Sequence, residues 1–137
     1  MGEPAITSED DIIQRYLAPL AADFAGAYGL LDDCATLSPP AGHDLVVTTD
    51  ALVEGVHFLP GEEANAVAWK ALAVNVSDLV GKGARPLAYL MALALPSAPD
   101  ASWMRAFAGG LGHAQQAFGL HLAGGDAHAE LLGLLEQ

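Results

Sequence analysis

Apolar and polar positions recur along this chain with helical spacing in some stretches and as continuous runs in others, and the changes between them mark its elements. Ser8, Glu9, Asp10 and Asp11 form a polar lead-in to Ile12, Ile13, Tyr16, Leu17 and Leu20, which share one helical face. Ser8 is the expected N-cap, Asp11 holds the capping-box position, and Pro19 should end or bend the helix. Residues 21–30 are small and loop-like, a short strand is expected over 34–37, and Pro39-Pro40-Ala41-Gly42 reads as a turn. Residues 44–49 are apolar and β-branched, which predicts a buried strand, and 53–58 continues as extended chain until Pro60-Gly61 breaks it.

The second half of the pattern is more regular. Residues 65–82 predict a long helix with Ala68, Trp69, Leu72, Val76, Leu79 and Val80 on its apolar face. Gly83 is placed to cap its C-terminus, with Pro86 just beyond. Residues 87–95 are continuously apolar and predict a central strand. Asp100 or Ser102 caps a second long helix running to about Phe118, with Trp103, Phe107, Leu111 and Ala114 as its stripe and Gly119 at its end. A short strand over 120–123 and a Gly124-Gly125-Asp126 turn follow. Alternating strands and helices predict an α/β protein, an α+β sandwich in which a mixed β-sheet packs with two long helices.

Composition narrows what such a fold can do. A length of 137 residues is one domain's worth, and 53% hydrophobic residues are enough for a core. A formal net charge of −12 argues against non-specific binding to nucleic acid or to an anionic membrane. No apolar run is long enough to span a bilayer, and the acidic N-terminus is unlike a secretory signal, so a cytoplasmic protein is expected. Cys34, the single cysteine, excludes a disulfide within the chain and is expected as a small buried residue.

The candidate chemistry lies in aspartates placed within or beside apolar stretches, at Asp32-Asp33, Asp50, Asp78 and Asp126. A carboxylate there needs a cation, and with only five Lys and Arg in the chain a metal is the readier partner. Carboxylate and hydroxyl donors select hard ions such as Mg²⁺ or Mn²⁺. Each aspartate also has a plainer reading. Asp50 can cap its own turn, Asp78 can lie on the polar face of its helix with Asn75 three residues away, and Gly125-Asp126 can be an ordinary turn. Asp32 and Asp33 point to opposite sides of an extended chain, so one of them is expected to join a site. His57 follows Gly55 at the end of an extended segment, where it can meet an anionic substrate or simply face solvent. No Walker A spacing is present.

Taken in order, Thr49-Asp50-Ala51-Leu52-Val53-Glu54-Gly55-Val56-His57-Phe58, Lys70-Ala71-Leu72-Ala73-Val74-Asn75-Val76-Ser77-Asp78-Leu79, Gly83-Ala84-Arg85-Pro86, Leu93-Ala94-Leu95-Pro96 and Gly124-Gly125-Asp126 resemble the thiamine-monophosphate kinase family. That family belongs to the superfamily of aminoimidazole ribonucleotide synthetase and selenophosphate synthetase. The resemblance implies ATP-dependent phosphorylation of thiamine monophosphate to thiamine diphosphate. It implies Mg²⁺ held by Asp33, Asp50, Asp78 and Asp126 with oxygen ligands from Thr48 and Thr49, ATP contacts from Gly125 and Asp126, substrate contact from His57, and a homodimer whose sheets join at the interface. The sequence departs from the family at Leu31, where the family usually has Gly, and after Asp126. Residues 1–126 are thus expected to be an N-terminal ATP- and Mg²⁺-binding, dimerising domain. Residues 127–137 are expected to be a divergent tail with Leu131, Leu132, Leu134 and Leu135 at helical spacing. The family's C-terminal domain is missing, so the chain reads as a truncated kinase or, alternatively, as a non-catalytic Mg²⁺–nucleotide-binding or dimerisation module.

Overall fold

Ser8 opens the first helix as its position requires. In the computed structural model, which describes residues 2–129, the Ser8 hydroxyl accepts the Asp11 amide at 3.2 Å. The Asp11 carboxylate does not return to Ser8. It accepts both the amide and the hydroxyl of Thr7 at 2.7 Å, and these bonds hold it below its ordinary acidity range. Helix α1 (Glu9–Ile12) widens into a π-helical turn over Ile13–Leu17 and then tightens to a 3₁₀ turn over Ala18–Ala21. Pro19 sits in that last turn, where it can form no regular helical bond with a preceding carbonyl. The apolar face survives these changes of pitch, burying Ile12, Tyr16, Leu17 and Ala21.

The described chain divides into two compact units. Of the described residues, the first comprises 2–36, 88–105 and 121–129, and the second 37–87 and 106–120. In the first unit, β1 (Ala88–Leu95) and β2 (His121–Ala129) form a two-stranded parallel sheet, in register from Ala88 opposite His121 to Leu95 opposite Ala129, with an irregularity between Tyr89 and Leu90. The helical turns of residues 9–30 lie against β2, and Met104, Leu122, Ala123 and Ala127 complete the buried set. Burial pushes the Tyr89 phenol well above its usual range. Arg15 lies 5.1 Å from the Tyr16 ring centroid and 3.3 Å from Glu3, and Tyr16 donates to Glu3 at 2.9 Å, so the start of the chain is tied down.

Two expectations change here. Gly124-Gly125-Asp126 is not a turn but the middle of β2, paired with Leu90, Met91 and Ala92. Gly125 adopts φ +144°, and a Cβ there would overlap the Met91 carbonyl, so glycine lets the strand continue where any side chain would force it out. Residues 127–129, expected as the start of a divergent tail, likewise extend β2, while the Leu131 to Leu135 pattern lies outside the described residues. β1 is less central than expected, because among the described residues it is paired along one edge only and alternates half-buried with exposed side chains.

In the second unit, α2 (Ala64–Gly81) buries Ala64, Val67, Ala68, Leu72 and Val76. Trp69 and Val80, expected on that face, are largely exposed, and Trp69 instead packs its ring 5.0 Å from Phe118. The C-terminus closes as the sequence predicts. Gly83 at φ +78° donates to Val80, and Ala84 donates to Leu79, each at 2.9 Å, the paired bonds of a Schellman motif. Helix α3 (Ala101–Phe118) starts at Asp100, whose carboxylate accepts the Trp103 amide at 2.8 Å. Residues 101–105 of this helix belong with the first unit and the remainder with the second. Met104, rather than the expected Trp103, joins Phe107, Leu111 and Ala114 among its buried residues. Gly110 lies so near the backbone of Asn65 that a Cβ would overlap it, which brings α3 against the start of α2.

The strands expected over 34–37 and 44–49 do not form ladders, although Thr36 donates to Gly26 at 2.9 Å. A strand needs a neighbour for its backbone groups, and neither segment has one among the described residues. Leu45, Val46 and Val47 are therefore exposed instead of buried, Val47 to 84%. Cys34 is exposed as well, against expectation. No helix among the described residues is long and apolar enough to cross a membrane.

Gly125→Ala should cost about 2–4 kcal/mol through strain and lost strand pairing, read as a lower urea midpoint. Asp100 is held below its ordinary acidity first by the Ser102 hydroxyl and then by the Trp103 amide. Its contribution is therefore present above the ordinary carboxylate range and lost as pH falls through the depressed folded value. Asp100→Ala should lower stability at neutral pH and flatten that acid limb in a series of urea titrations across pH.

Candidate functional site

In the first unit, Asp32, Asp33 and Asp126 line one small cavity together with Glu9, and Leu17, Met91 and Leu122 supply apolar wall. Its volume of about 40 Å³ is enough for an ion with little water. The Asp32-Asp33 pair divides in role. Asp32 accepts the Cys34 amide at 3.2 Å and so holds the turn, whereas Asp33 accepts no bond among the described residues. Glu9 had no signal in the sequence, since an acidic residue in a first helical turn is accounted for by the helix dipole. Its carboxyl is pushed up first by its hydrogen bond with Asp126, then by burial, then by the Asp126 charge, while the Ala127 amide and His128 pull it the other way. Two carboxyl groups this close share a proton or a cation.

The second unit gathers Thr48, Asp50, Asn75 and Asp78. The Thr48 hydroxyl donates to Asp78 at 3.4 Å, and the Asp50 amide donates to the Asn75 side-chain oxygen at 2.9 Å. Asn75 donates its own amide to the Ala71 carbonyl one turn back at 2.8 Å, which fixes which way its oxygen points. The spacing of Asn75 and Asp78 on one face of α2 was legible in the sequence; that Asn75 carries the backbone of Asp50 was not. Thr49 is exposed and makes no side-chain bond among the described residues.

His57 lies in a tight turn. Glu54 and Phe58 form a bridge, Gly55 adopts φ +79°, and the amides of Val56 and His57 both donate to the Val53 carbonyl. The Val53 amide donates to His57 Nδ1 at 2.9 Å, and Lys70 of α2 donates to the His57 carbonyl.

The residues expected to hold Mg²⁺ thus fall into two sets, Asp33 with Asp126 in one unit and Thr48, Asp50 and Asp78 in the other. Among the described residues no three acidic, histidine or cysteine side chains converge as a preformed ligand cage. The chemistry of the donors nonetheless fits a hard cation. They are oxygens throughout, and both ion pairs among the described residues, from Arg15 and Arg105, go to Glu3 and none to an aspartate. The mutual repulsion of Glu9 and Asp126 is what a cation relieves.

Known proteins resemble this chain over most of its length. Residues 31–133 match the family model of the AIR synthase related protein, N-terminal domain. The chain is 44% identical over 119 residues to the thiamine-monophosphate kinase of Caulobacter vibrioides, covering 87% of this chain and 34% of that protein. It is 41% identical over 120 residues to the thiamine-monophosphate kinase of Synechococcus elongatus, covering 87% of this chain and 37% of that one. The crystal structure of the thiamine-monophosphate kinase from Stenotrophomonas maltophilia superposes with a TM-score of 0.67 at 43% identity, over 72% of this chain and 31% of the other. That from Aquifex aeolicus gives 0.56 at 38% identity, over 58% of this chain and 27% of the other. The chain spans about a third of the length of the curated relatives it matches. With its sheet and two long helices in a fold shared by the solved relatives, the chain belongs to the AIR synthase related family, as an N-terminal domain of the thiamine-monophosphate kinase type.

Proposed function

We propose that this chain is the Mg²⁺- and ATP-holding, dimer-forming part of a cytoplasmic thiamine-monophosphate kinase, which transfers a phosphoryl group from ATP to thiamine monophosphate to give thiamine diphosphate. The observation that carries the reading is a set of aspartates, one of them bonded to a threonine hydroxyl, with no Lys or Arg ion-pair partner among the described residues. In this reading Asp33, Thr48, Thr49, Asp50, Asp78 and Asp126 hold the metal, Gly125 and Asp126 contact ATP, and His57 contacts the substrate.

The chemistry asks for little more. The acceptor is a phosphate whose second pKa is about 6, so it is already largely anionic at neutral pH and no residue of the chain is needed as a base. Positioning and charge cancellation between two polyanions are what limit the reaction. Bound Mg²⁺ supplies that cancellation. The chain's own residues orient: Asn75 holds the backbone of Asp50, Thr48 restrains the Asp78 carboxylate, and the β1–β2 pairing fixes Asp126.

The dimer part of the reading has its own support. Leu90, Ala92 and Ala94 form an exposed face of β1, Leu90 to 69%, and the outer edge of that strand has no partner among the described residues. An apolar strand edge of this kind is normally covered.

Calorimetry on the full chain should show ATP binding only with Mg²⁺ present, and Asp78→Asn or Asp126→Asn should weaken it about tenfold or more, the loss of one charged ligand interaction. Binding that ignores Mg²⁺ overturns the reading. The kinase activity itself is tested by exchanging this chain for the corresponding segment of the Caulobacter vibrioides relative. Thiamine diphosphate formation by that chimera is expected, and a folded but inactive chimera counts against it. Light scattering should find a dimer, and Leu90→Glu should raise its dissociation constant about thirtyfold or more, as for an interface hot spot.

A further inference from the structure

We infer that Lys70 and the Val53 amide hold His57 as a fixed hydrogen-bond donor, with its proton on Nε2, and that Lys70 is thereby a positioning residue for a phosphate ester. The assignment to phosphate rests on the function proposed above; the lock on the ring does not.

A backbone amide can only donate. Since the Val53 amide lies 2.9 Å from His57 Nδ1, that nitrogen is the acceptor and is unprotonated in the neutral ring. The proton of the neutral imidazole then resides on Nε2, the atom on the far side of the ring from the Val53–Phe58 turn. An Nε2–H donor suits a phosphate oxygen, which only accepts, whereas the other tautomer would present a lone pair to it and repel it.

The bond to Nδ1 closes a ring within the turn itself. Its geometry depends on the turn staying folded. Three internal bonds do this, from Gly55 to the Phe58 carbonyl at 2.8 Å, from Val56 to the Val53 carbonyl at 3.1 Å, and from His57 to the same carbonyl at 2.8 Å. All of these residues but Phe58 are exposed, so water competes for every one of these bonds. Among the described residues, Lys70 adds a tether from outside the turn. It rises from α2, on the turn of helix between buried Val67, Ala68 and Leu72, and donates to the His57 carbonyl. The helix is rigid where the turn is not, so this single bond relates the ring to α2 and thereby to Asn75 and Asp78 further along the same helix. Lys70 also brings a positive charge beside the turn in a chain with only five Lys and Arg. The role asks for reach and donation to a carbonyl, so Arg can serve in its place and Met cannot.

The test is a long-range ¹H–¹⁵N spectrum of the imidazole nitrogens of the full chain, recorded at about pH 8, above the ordinary imidazole range. The His57 signals are assigned by their absence in His57→Gln. A single Nε2–H tautomer in the unmodified chain is expected, with a mixture of tautomers in Lys70→Met and return to the single form in Lys70→Arg. The unmodified chain alone decides the first point, whatever the variants do to folding. An Nδ1–H ring overturns the inference, and so does a Lys70→Met spectrum identical to that of the unmodified chain. Thiamine monophosphate with Mg²⁺ should then shift the His57 Nε2 resonance, and Lys70→Met should weaken that response about tenfold, the effect expected for one charge-assisted bond. A locked ring that ignores the phosphate ester overturns its assignment to substrate while leaving the lock in place.

Discussion

The approach of β2 to β1 at Gly125 is the constraint on which the first unit depends. The backbone of Met91 occupies the space that any side chain at position 125 would need. Because glycine asks for none of that space, β2 runs on through Asp126 to Ala129 beside β1. Two consequences follow. Asp126 is carried on a strand rather than on a turn, which fixes it far more firmly. The turns of residues 9–30 also gain a surface to pack on, and this brings Glu9, Asp32 and Asp33 to the cavity that Asp126 lines.

The same unit shows why charge matters more here than hydrophobic burial alone. The chain has 17 acidic residues against five Lys and Arg, and the ion pairs of its described residues converge on Glu3, at the start of the chain. Glu3 in turn accepts from Tyr16, so the scarce arginines secure the N-terminal segment rather than the aspartates. Glu9 is left facing Asp126 instead, and that neighbour pushes its carboxyl above the ordinary range.

In the second unit a single helix plays the organising part. One face of α2 is buried through Val67, Ala68, Leu72 and Val76, which fixes its rotation. Side chains at the edges of that face then have defined positions: Lys70 reaches the His57 carbonyl, Asn75 reaches the Asp50 amide, and Asp78 meets Thr48. Burial thus does indirect chemical service, since loops that bury little of their own surface borrow their geometry from a helix that buries much.

Most local signals are legible in the sequence, the Asp11 capping box, which turns to Thr7 instead of Ser8, being the exception. The Ser8 cap, the Asp100 cap, the Gly83 Schellman end of α2 and the Gly119 end of α3 each depend on neighbouring residues, and each was legible in the sequence. The ordered motifs were equally sufficient to place the chain in its family. What the sequence did not reveal depended on partners distant along the chain. The 44–49 segment has strand composition but finds no ladder partner among the described residues, so composition misled. Gly124-Gly125-Asp126 has turn composition but lies in a strand, because its glycine answers to Met91. Glu9 carries no motif, and Lys70 and Asn75 lie in a family stretch that gives them no role of their own; each acquires one only from what the fold sets beside it. The sequence by itself determined the helices, their ends, the aspartate set and the family. Only tertiary structure decided which strand an aspartate rides on, which side chains support it and which way a histidine ring presents its proton, because those depend on distances between residues that the chain order leaves free.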